Sequence, residues 1–242
     1  MLPEPSRKSR TGKEITMKAA WRNTAFALAS LALLSCTAGA QTDVALSVYG
    51  AFNQSTSGNS TVQSPANSAG GLLEVRHIRN PLIGYEATYA FNRDNQGYSS
   101  VSTACPAGST SCGSSTGAIS ANAHEVTSAW IVSLKMANLK PFALAGGGLL
   151  LNVPSGGTIT TVNCGLLGAP CQATTATAST ATSTKGVFVY GAGVDWTLLL
   201  HLGLRFQYRG NLYKASDMTN AFSSTNSFTR NSEPMIGIFF RL

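Results

Sequence analysis

Apolar and polar residues alternate along eight segments of the chain, and this pattern predicts β-strands. The predicted strands are 44–52, 71–79, 82–93, 124–137, 141–153, 185–199, 202–209 and 233–242. The connections between these strands alternate between short turns and long polar segments. An even number of strands joined in this order is typical of an antiparallel up-and-down barrel that crosses a membrane. The barrel must close, because lipid cannot satisfy the N–H and C=O groups of a free sheet edge.

The residues that alternate with the apolar positions indicate which face meets lipid. They include charges of both signs among Gly, Ser, Thr and Gln, whereas the other face is aliphatic and aromatic. We therefore predict an all-β, eight-stranded transmembrane barrel with an apolar exterior and a polar lumen. The predicted lumen charges are Glu74, Arg76, Glu86, Lys135, Asp195, Arg205, Arg209 and Arg241. A water-soluble barrel of the lipocalin type is the alternative, and it would leave many large apolar side chains in water.

The fifth predicted strand is the least polar of the eight. Phe142, Leu144 and Leu150 share one face with Gly146 and Gly148, and small residues occupy the other face. This distribution predicts that the larger side chains point outward and that the small ones line the lumen.

The first forty residues have the pattern of a cleavable export signal. Lys18 and Arg22 form a basic region, residues 24–34 form a short apolar run, and 38–40 read Ala-Gly-Ala. We predict cleavage after Ala40 and a barrel domain over 41–242. Residues 1–16 are either a misassigned start or an extended basic region. Cys36 follows the apolar run as in a lipoprotein signal, so lipidation is a second interpretation.

Net charge and hydropathy exclude two classes of protein. The formal net charge falls from +7 to +3 beyond residue 40, because six of the seventeen basic residues and two of the ten acidic ones precede that point. No basic cluster remains that would suit nucleic acid. No run of twenty apolar residues follows Leu34, which excludes a helical membrane protein.

Four cysteines form two pairs with equal spacing in polar segments between predicted strands. Since exported proteins enter an oxidising compartment, we predict two disulfides within loops, Cys105–Cys112 and Cys164–Cys171. A zinc site is the rival interpretation, but it would have to draw its four ligands from two separate loops.

The chain resembles the small eight-stranded outer-membrane barrels of Gram-negative bacteria, the OmpA/OmpX type, over residues 41–242. Gly237, Phe240 and Leu242 are similar to the C-terminal assembly signal of such barrels. Leu at the last position and Met235 depart from that pattern. The resemblance implies insertion by the outer-membrane assembly machinery, surrounding lipid, extracellular long loops and periplasmic termini, with no peptidoglycan-binding domain after the barrel.

Three functions fit a barrel of this size. Its lumen is only wide enough to be filled by side chains, which favours a buried ion-pair network over an ion path. Of the three histidines, His77 and His201 lie near predicted turns, and only His124, beside Glu125, lies near the predicted extracellular rim. We therefore expect no catalysis and no cofactor, but a structural or surface-interaction role carried by four long loops, with an unknown ligand. A narrow channel is the first alternative and an outer-leaflet lipid-modifying enzyme the second.

Overall fold

A computed structural model describes residues 41–79, 82–101, 113–164 and 170–242. This part of the chain consists of strands and connecting segments, and none of it is a helix long and apolar enough to cross a membrane. The strands are β1 (Gln41–Asn53), β2 (Thr56–Gly58), β3 (Thr61–Pro65), β4 (Ser68–Ile78), β5 (Ile83–Val101), β6 (Ser114–Ser133), β7 (Leu139–Asn163), β8 (Gln172–Thr177), β9 (Ser183–Thr197), β10 (Leu202–Lys214) and β11 (Phe228–Arg241).

Eight of these strands close into an antiparallel barrel. The order around the barrel is β1–β4–β5–β6–β7–β9–β10–β11, and β11 pairs with β1 to complete the ring. Asp43 on β1 shows the closure, because it pairs with Arg76 on one side and with Arg241 on the other. The predicted fold is therefore confirmed, and the predicted strand at 202–209 extends to Lys214.

Large apolar side chains cover the outside of the barrel. Leu46, Trp130 and Ile238 are 67%, 68% and 57% exposed, and their neighbours along each strand are buried inside. Such a surface is stable only in lipid, and a closed sheet is the form in which strands can cross lipid. The chain is thus a transmembrane β-barrel, as its apolar exterior and polar interior require.

Short turns join β4 to β5, β6 to β7 and β9 to β10 at one end of the barrel, which we call the turn end. The first and last barrel residues lie there too, since Gln41 pairs with Ile78 and the Arg241 N–H donates to the His201 carbonyl. The opposite end, the loop end, carries the long connections. The predicted turn residues Asn80 and Pro81 lie outside the described residues.

Several strands continue past the apolar belt at the loop end. β5 reaches Val101, β6 starts at Ser114 and β7 reaches Asn163, well beyond the predicted limits. Apolar alternation ends where lipid ends, but backbone pairing continues through Ser, Thr, Gly and Asn. The strands β2, β3 and β8 extend this sheet. The Thr-rich run at 174–184, which its composition predicts to be mobile, is therefore partly a strand, because Thr suits a pleated edge.

The face prediction for the fifth barrel strand, β7, is wrong. Phe142, Leu144 and Leu150 are buried in the lumen, and Ala143 and Ala145 point outward. The reason lies in the partners across the barrel. Phe142 and Leu144 pack in an inward apolar cluster with Ile131, Val187 and Val189 on neighbouring strands, which no single strand reveals.

Candidate functional site: the charged lumen and its cap

The lumen holds two clusters of ion pairs. Each forms because inward positions of strands that are distant in sequence face one another across a narrow barrel. The turn-end cluster consists of Glu74 and Arg76 on β4, Glu86 on β5, Asp195 on β9 and Arg205 on β10. The loop-end cluster consists of Glu125 on β6, Arg209 and Asn211 on β10, and Asn231 and Glu233 on β11. All ten side chains are at least nine-tenths buried.

In the turn-end cluster, Arg76 links opposite walls of the barrel. Its Nη2 donates to Glu86 Oε2 at 2.6 Å on the neighbouring strand, and its Nη1 donates to Asp195 Oδ2 at 3.0 Å across the lumen. Arg205 Nε donates to Asp195 Oδ1 at 2.7 Å, and its Nη1 lies 3.3 Å from Glu74 Oε2. Two guanidinium groups thus hold three carboxylates in one continuous network.

Phe142 contributes to the same cluster from β7. The guanidinium carbon of Arg76 lies 4.0 Å from the centre of the Phe142 ring, and that of Arg205 lies 5.7 Å from it. An aromatic face attracts a cation, most strongly where water is excluded. The ring therefore fills space beside two arginines and makes a cation–π contact with each.

In the loop-end cluster, Arg209 and Asn211 bridge two glutamates. Arg209 Nη2 donates to Glu125 Oε1 at 2.6 Å, and its Nε lies 3.9 Å from Glu233 Oε2. Asn211 Nδ2 donates to both Glu125 and Glu233 at 2.9 Å. β10 and β6 are three strands apart around the ring, so the bonds of Arg209 and Asn211 to Glu125 also cross the lumen.

Carboxylates outnumber arginines in the two clusters by five to three. Several buried polar atoms between and within the clusters have no partner in the protein, including both amide atoms of Gln207. Gln207 faces the lumen between Arg205 and Arg209 on β10 and is 5% exposed. Buried polar groups of this kind are usually satisfied by ordered water. The lumen interior is therefore charged and polar along its length.

Residues 215–227, between β10 and β11, form a cap over the loop end of the lumen. Met218 and Phe222 pack into a cluster with Tyr98, Ile119 and other residues of β5 and β6. The Tyr98 hydroxyl donates to the Ser216 carbonyl at 3.1 Å and accepts from the Met218 N–H at 3.2 Å. The cap is thus anchored by an apolar plug and by a buried tyrosine.

Among the described residues, the barrel strand β7 and two of the long connections of the loop end contact the cap. Asn152 on β7 donates to the Ser216 hydroxyl at 2.7 Å, and Asn59 in the β2–β3 turn donates to the Ser224 carbonyl at 2.7 Å. Thr219 donates to the Ser179 carbonyl at 2.7 Å, in the segment after β8. These contacts hold the cap from three sides.

One predicted lumen charge, Lys135, takes another position, and a second, Arg241, lies at the turn-end mouth of the lumen. Lys135 lies in the turn after β6, which ends at Ser133, and its side chain is exposed. The predicted strand 124–137 extends beyond Ser133, where β6 ends. The prediction therefore continued the inward–outward alternation to Lys135, which is no longer in the strand. Arg241 lies at the turn end, where its Nε is 3.5 Å from Asp43 Oδ1, and its side chain is 26% exposed. The structure places the other six predicted charges inside the barrel.

The sequence prediction missed three buried lumen acids, Asp43, Glu125 and Glu233. Each has the same parity along its strand as the inward residues around it, so extension of the alternation would have found them. Glu125 was paired in the prediction with His124, but successive strand residues point to opposite faces. Glu125 binds Arg209 inside, whereas His124 lies outside with its Nδ1 2.8 Å from the Tyr89 hydroxyl. The structure does not bring that pair together.

The remaining histidines lie near the turn end. His77 Nδ1 is hydrogen bonded to the Thr42 hydroxyl at 3.1 Å, and the His201 ring lies 6.0 Å from that of Phe240. Within the described ranges, His, Cys, Asp and Glu form no group of three that could hold a metal ion.

Cys164 and Cys171 form a disulfide at the tip of the β7–β8 hairpin, with their Cα atoms 4.0 Å apart. The prediction for this pair is confirmed. Cys105 and Cys112 lie outside the described residues, so their pairing stays a prediction.

Comparison with known proteins yields similarity in structure only. No family model matches the chain, and no curated protein matches it in sequence. The chain is similar to Ail, the attachment invasion locus protein of Yersinia pestis, with 13% identity and a TM-score of 0.41 over 84% of this chain and 99% of that chain. The chain is also similar to Neisserial surface protein A, with 13% identity and a TM-score of 0.39 over 84% of this chain and 97% of that chain. Its similarity to OprG of Pseudomonas aeruginosa is 9% identity and a TM-score of 0.45 over 84% of this chain and 95% of that chain.

Proposed function

We propose that this protein is a closed, non-catalytic outer-membrane barrel with a structural or surface-interaction role. Its loop end faces the outside of the cell, and the turn end and both ends of the barrel chain face the periplasm. Short periplasmic turns and longer extracellular loops are the rule for bacterial barrels, which supports this orientation. The partners we expect are outer-membrane lipid, the assembly machinery and an extracellular ligand that binds the projecting hairpins.

One observation carries the closed state: ion pairs cross the lumen at two levels. Arg76 and Asp195 lie on strands four apart in a ring of eight, so their 3.0 Å contact joins opposite walls. The 2.6 Å contact between Arg209 and Glu125 crosses the barrel nearer the loop end. Breaking either pair would leave buried charges unpaired, which is strongly unfavourable. The cap also covers the loop end of the lumen, above the two levels of ion pairs.

Single-channel recording in planar bilayers tests the closed state. We expect the purified, folded protein to give no conductance steps, because solute would have to displace two buried ion-pair clusters. A variant with the cap replaced by a short Gly-Ser turn should also be silent, since the clusters below it remain. Stable conductance steps in the unaltered protein would overturn the proposal.

The orientation and the lack of catalysis need separate measurements. Added protease should cut the loop end on intact cells and leave the turn end intact. The histidine at the loop-end rim is the residue on which a lipid-modifying enzyme would depend. We expect His124→Ala to leave the composition of outer-leaflet lipid unchanged, and a changed composition would instead support an enzyme.

A narrow channel is the second candidate, and the unpartnered Gln207 amide favours it, because water must reach the middle of the lumen. This candidate predicts cation-selective conductance, since carboxylates exceed arginines in the clusters. The same bilayer recordings distinguish the two functions.

A further inference from the structure

Acidic residues are confined to the inside of this barrel and to its cap. All eight acids beyond residue 40 belong to the described part of the chain. Seven of them face the lumen, and Asp217 in the cap pairs with Lys185. The outer surface of the barrel therefore carries no acidic side chain at either rim.

Basic residues do occupy the outer surface. At the loop end, Arg93, Lys214 and Arg230 point outward and are exposed. No carboxylate of the described residues lies within 4.0 Å of any of them, whereas every arginine of the two lumen clusters has one. Their positive charge is thus available to a partner outside the protein.

Lys214 and Arg230 are neighbours on adjacent strands. Leu212 on β10 pairs with Arg230 on β11, and Lys214 pairs with Phe228, so the two basic residues are diagonal neighbours. Side chains in that relation start about 7–8 Å apart, within reach of one shared anion. Arg93 lies on the opposite side of the ring and stands alone.

Neutral side chains hold both cations in place. The Lys214 ammonium donates to Asn226 Oδ1 at 3.1 Å and lies 6.0 Å from the centre of the Phe228 ring. The Arg230 side chain lies near Tyr208, whose hydroxyl donates to Ser232 at 2.9 Å. These contacts orient the cations without neutralising them.

The pair lies at the level of lipid headgroups. From Leu242 at the turn end to Arg230, β11 rises about 40 Å along the strand, at roughly 3.3 Å per residue. A strand tilt of about 40° reduces this to roughly 30 Å along the barrel axis, slightly more than the apolar band of such barrels. Arg230 is therefore near the outer boundary of the hydrocarbon, with exposed Leu212 beside it.

We propose that Lys214 and Arg230 form a binding site for a phosphate group of the phosphorylated glycolipid of the outer leaflet, lipid A. Which leaflet supplies the lipid rests on the proposed orientation. A guanidinium binds phosphate oxygens through two parallel N–H donors, and an ammonium adds a point charge beside it. The Ser232 hydroxyl, which accepts from Tyr208, can donate to a remaining oxygen. The acyl chains of the same lipid would lie against the apolar belt below.

Binding of lipid A to the folded protein in phospholipid nanodiscs tests this site. We expect the Lys214→Gln/Arg230→Gln variant to bind lipid A about 30-fold more weakly. This is the loss expected when two basic side chains no longer contact a charged headgroup. Lipid A stripped of its phosphates should bind the unaltered protein as weakly as intact lipid A binds the variant. The matched control is Arg79→Gln/Lys135→Gln, which removes the same charge from exposed positions at the turn end.

Equal affinity of the unaltered protein and the Lys214/Arg230 variant would overturn the proposal, and so would equal binding of dephosphorylated lipid. A loss confined to the control would also overturn it, because the headgroup would then bind at the other rim. Nanodiscs expose both rims to the same lipid. The outcome is therefore independent of which end faces outside, which protease accessibility on cells tests separately.

Discussion

Gly237 is a residue at which strand packing leaves almost no room for a side chain. A Cβ at this position would collide with the Ser47 hydroxyl and would lie 2.8 Å from the Leu46 carbonyl. Ser47 also donates to Glu74 Oε2 at 3.1 Å, so displacing it would disturb the turn-end cluster. The glycine that resembles part of an assembly signal therefore has a packing role in the folded barrel.

We expect Gly237→Ala to lower the free energy of unfolding by about 1–3 kcal/mol, the usual cost of overpacking. The measurement is the temperature at which the folded band is lost on SDS gels of heated samples. Gly71→Ala is the control, because a Cβ there would meet no atom within 4 Å. Equal effects of the two substitutions would contradict the packing argument.

Asp94 lies on the part of β5 beyond the apolar belt, facing the mouth of the lumen. Burial raises the pKa of this carboxyl to about 6 from an ordinary value of 3.8. The folded state therefore binds the proton more tightly than the unfolded state, and stability falls as pH rises between these two values.

Asp94→Asn should consequently stabilise the barrel at pH 8 and have little effect at pH 2.5, where the carboxyl is protonated in both states. Heat-induced loss of the folded band, measured at both pH values, checks this. Asp217→Asn is a useful comparison, because that carboxylate is paired with Lys185 and should not gain stability when neutralised. A stabilisation by Asp94→Asn that is the same at both pH values would refute the burial argument.

At the scale of elements, the cap depends on β5. Tyr98 satisfies two backbone groups of the cap and stacks on Phe222, with 5.3 Å between ring centres. Removal of its hydroxyl would leave the Ser216 carbonyl and the Met218 N–H buried without these partners. A buried group left unsatisfied costs about 1–3 kcal/mol.

We expect Tyr98→Phe to loosen the cap without unfolding the barrel, so amide hydrogen exchange at Met218 should rise at least about fivefold, as a loss of 1 kcal/mol implies. Exchange in β10 and β11 below the apolar belt should not change. Tyr85→Phe is the matched control, because Tyr85 is exposed on the outer face near the turn end. Unchanged exchange at Met218 would show that the apolar plug alone holds the cap.

At the scale of elements, the sequence pattern predicted the membrane-spanning parts of the strands but not their extensions. The eight strands were predictable because lipid enforces apolar alternation along every one. The extensions of β5, β6 and β7 beyond lipid lack that constraint, and their Ser, Thr and Gly residues suit a loop as well as a strand. The cap residue Met218 is fully buried, yet its neighbours Ser216, Asp217 and Thr219 are polar, so nothing local marks it.

At the scale of the whole molecule, Arg76 joins two walls of the barrel, because Glu86 lies on the neighbouring strand β5 whereas Asp195, 119 residues away, lies on the opposite strand β9. Arg76→Ala would leave two carboxylates facing each other in a narrow lumen. Removing one partner of a buried ion pair typically costs about 3–5 kcal/mol. We expect the temperature of heat modification on SDS gels to fall sharply.

Arg79→Ala controls for the loss of a positive charge, since Arg79 is exposed three residues further along the chain. It should leave the heat-modification temperature nearly unchanged. If both substitutions acted equally, the cross-lumen pairs would not be the source of stability. A folded band that does not shift on boiling, in either variant or in the unaltered protein, would argue against a closed barrel.

The sequence by itself determined the number of strands, their closure and the face that meets lipid, because these follow from alternation repeated eight times against an apolar solvent. It also placed six of the lumen charges. The tertiary structure decided which charges pair, that Phe142 turns inward between two arginines, and that residues 215–227 fold over the mouth. Those outcomes depend on contacts across the barrel, such as that of Arg76 with Asp195, which are 119 residues apart, and no periodicity along one strand encodes them.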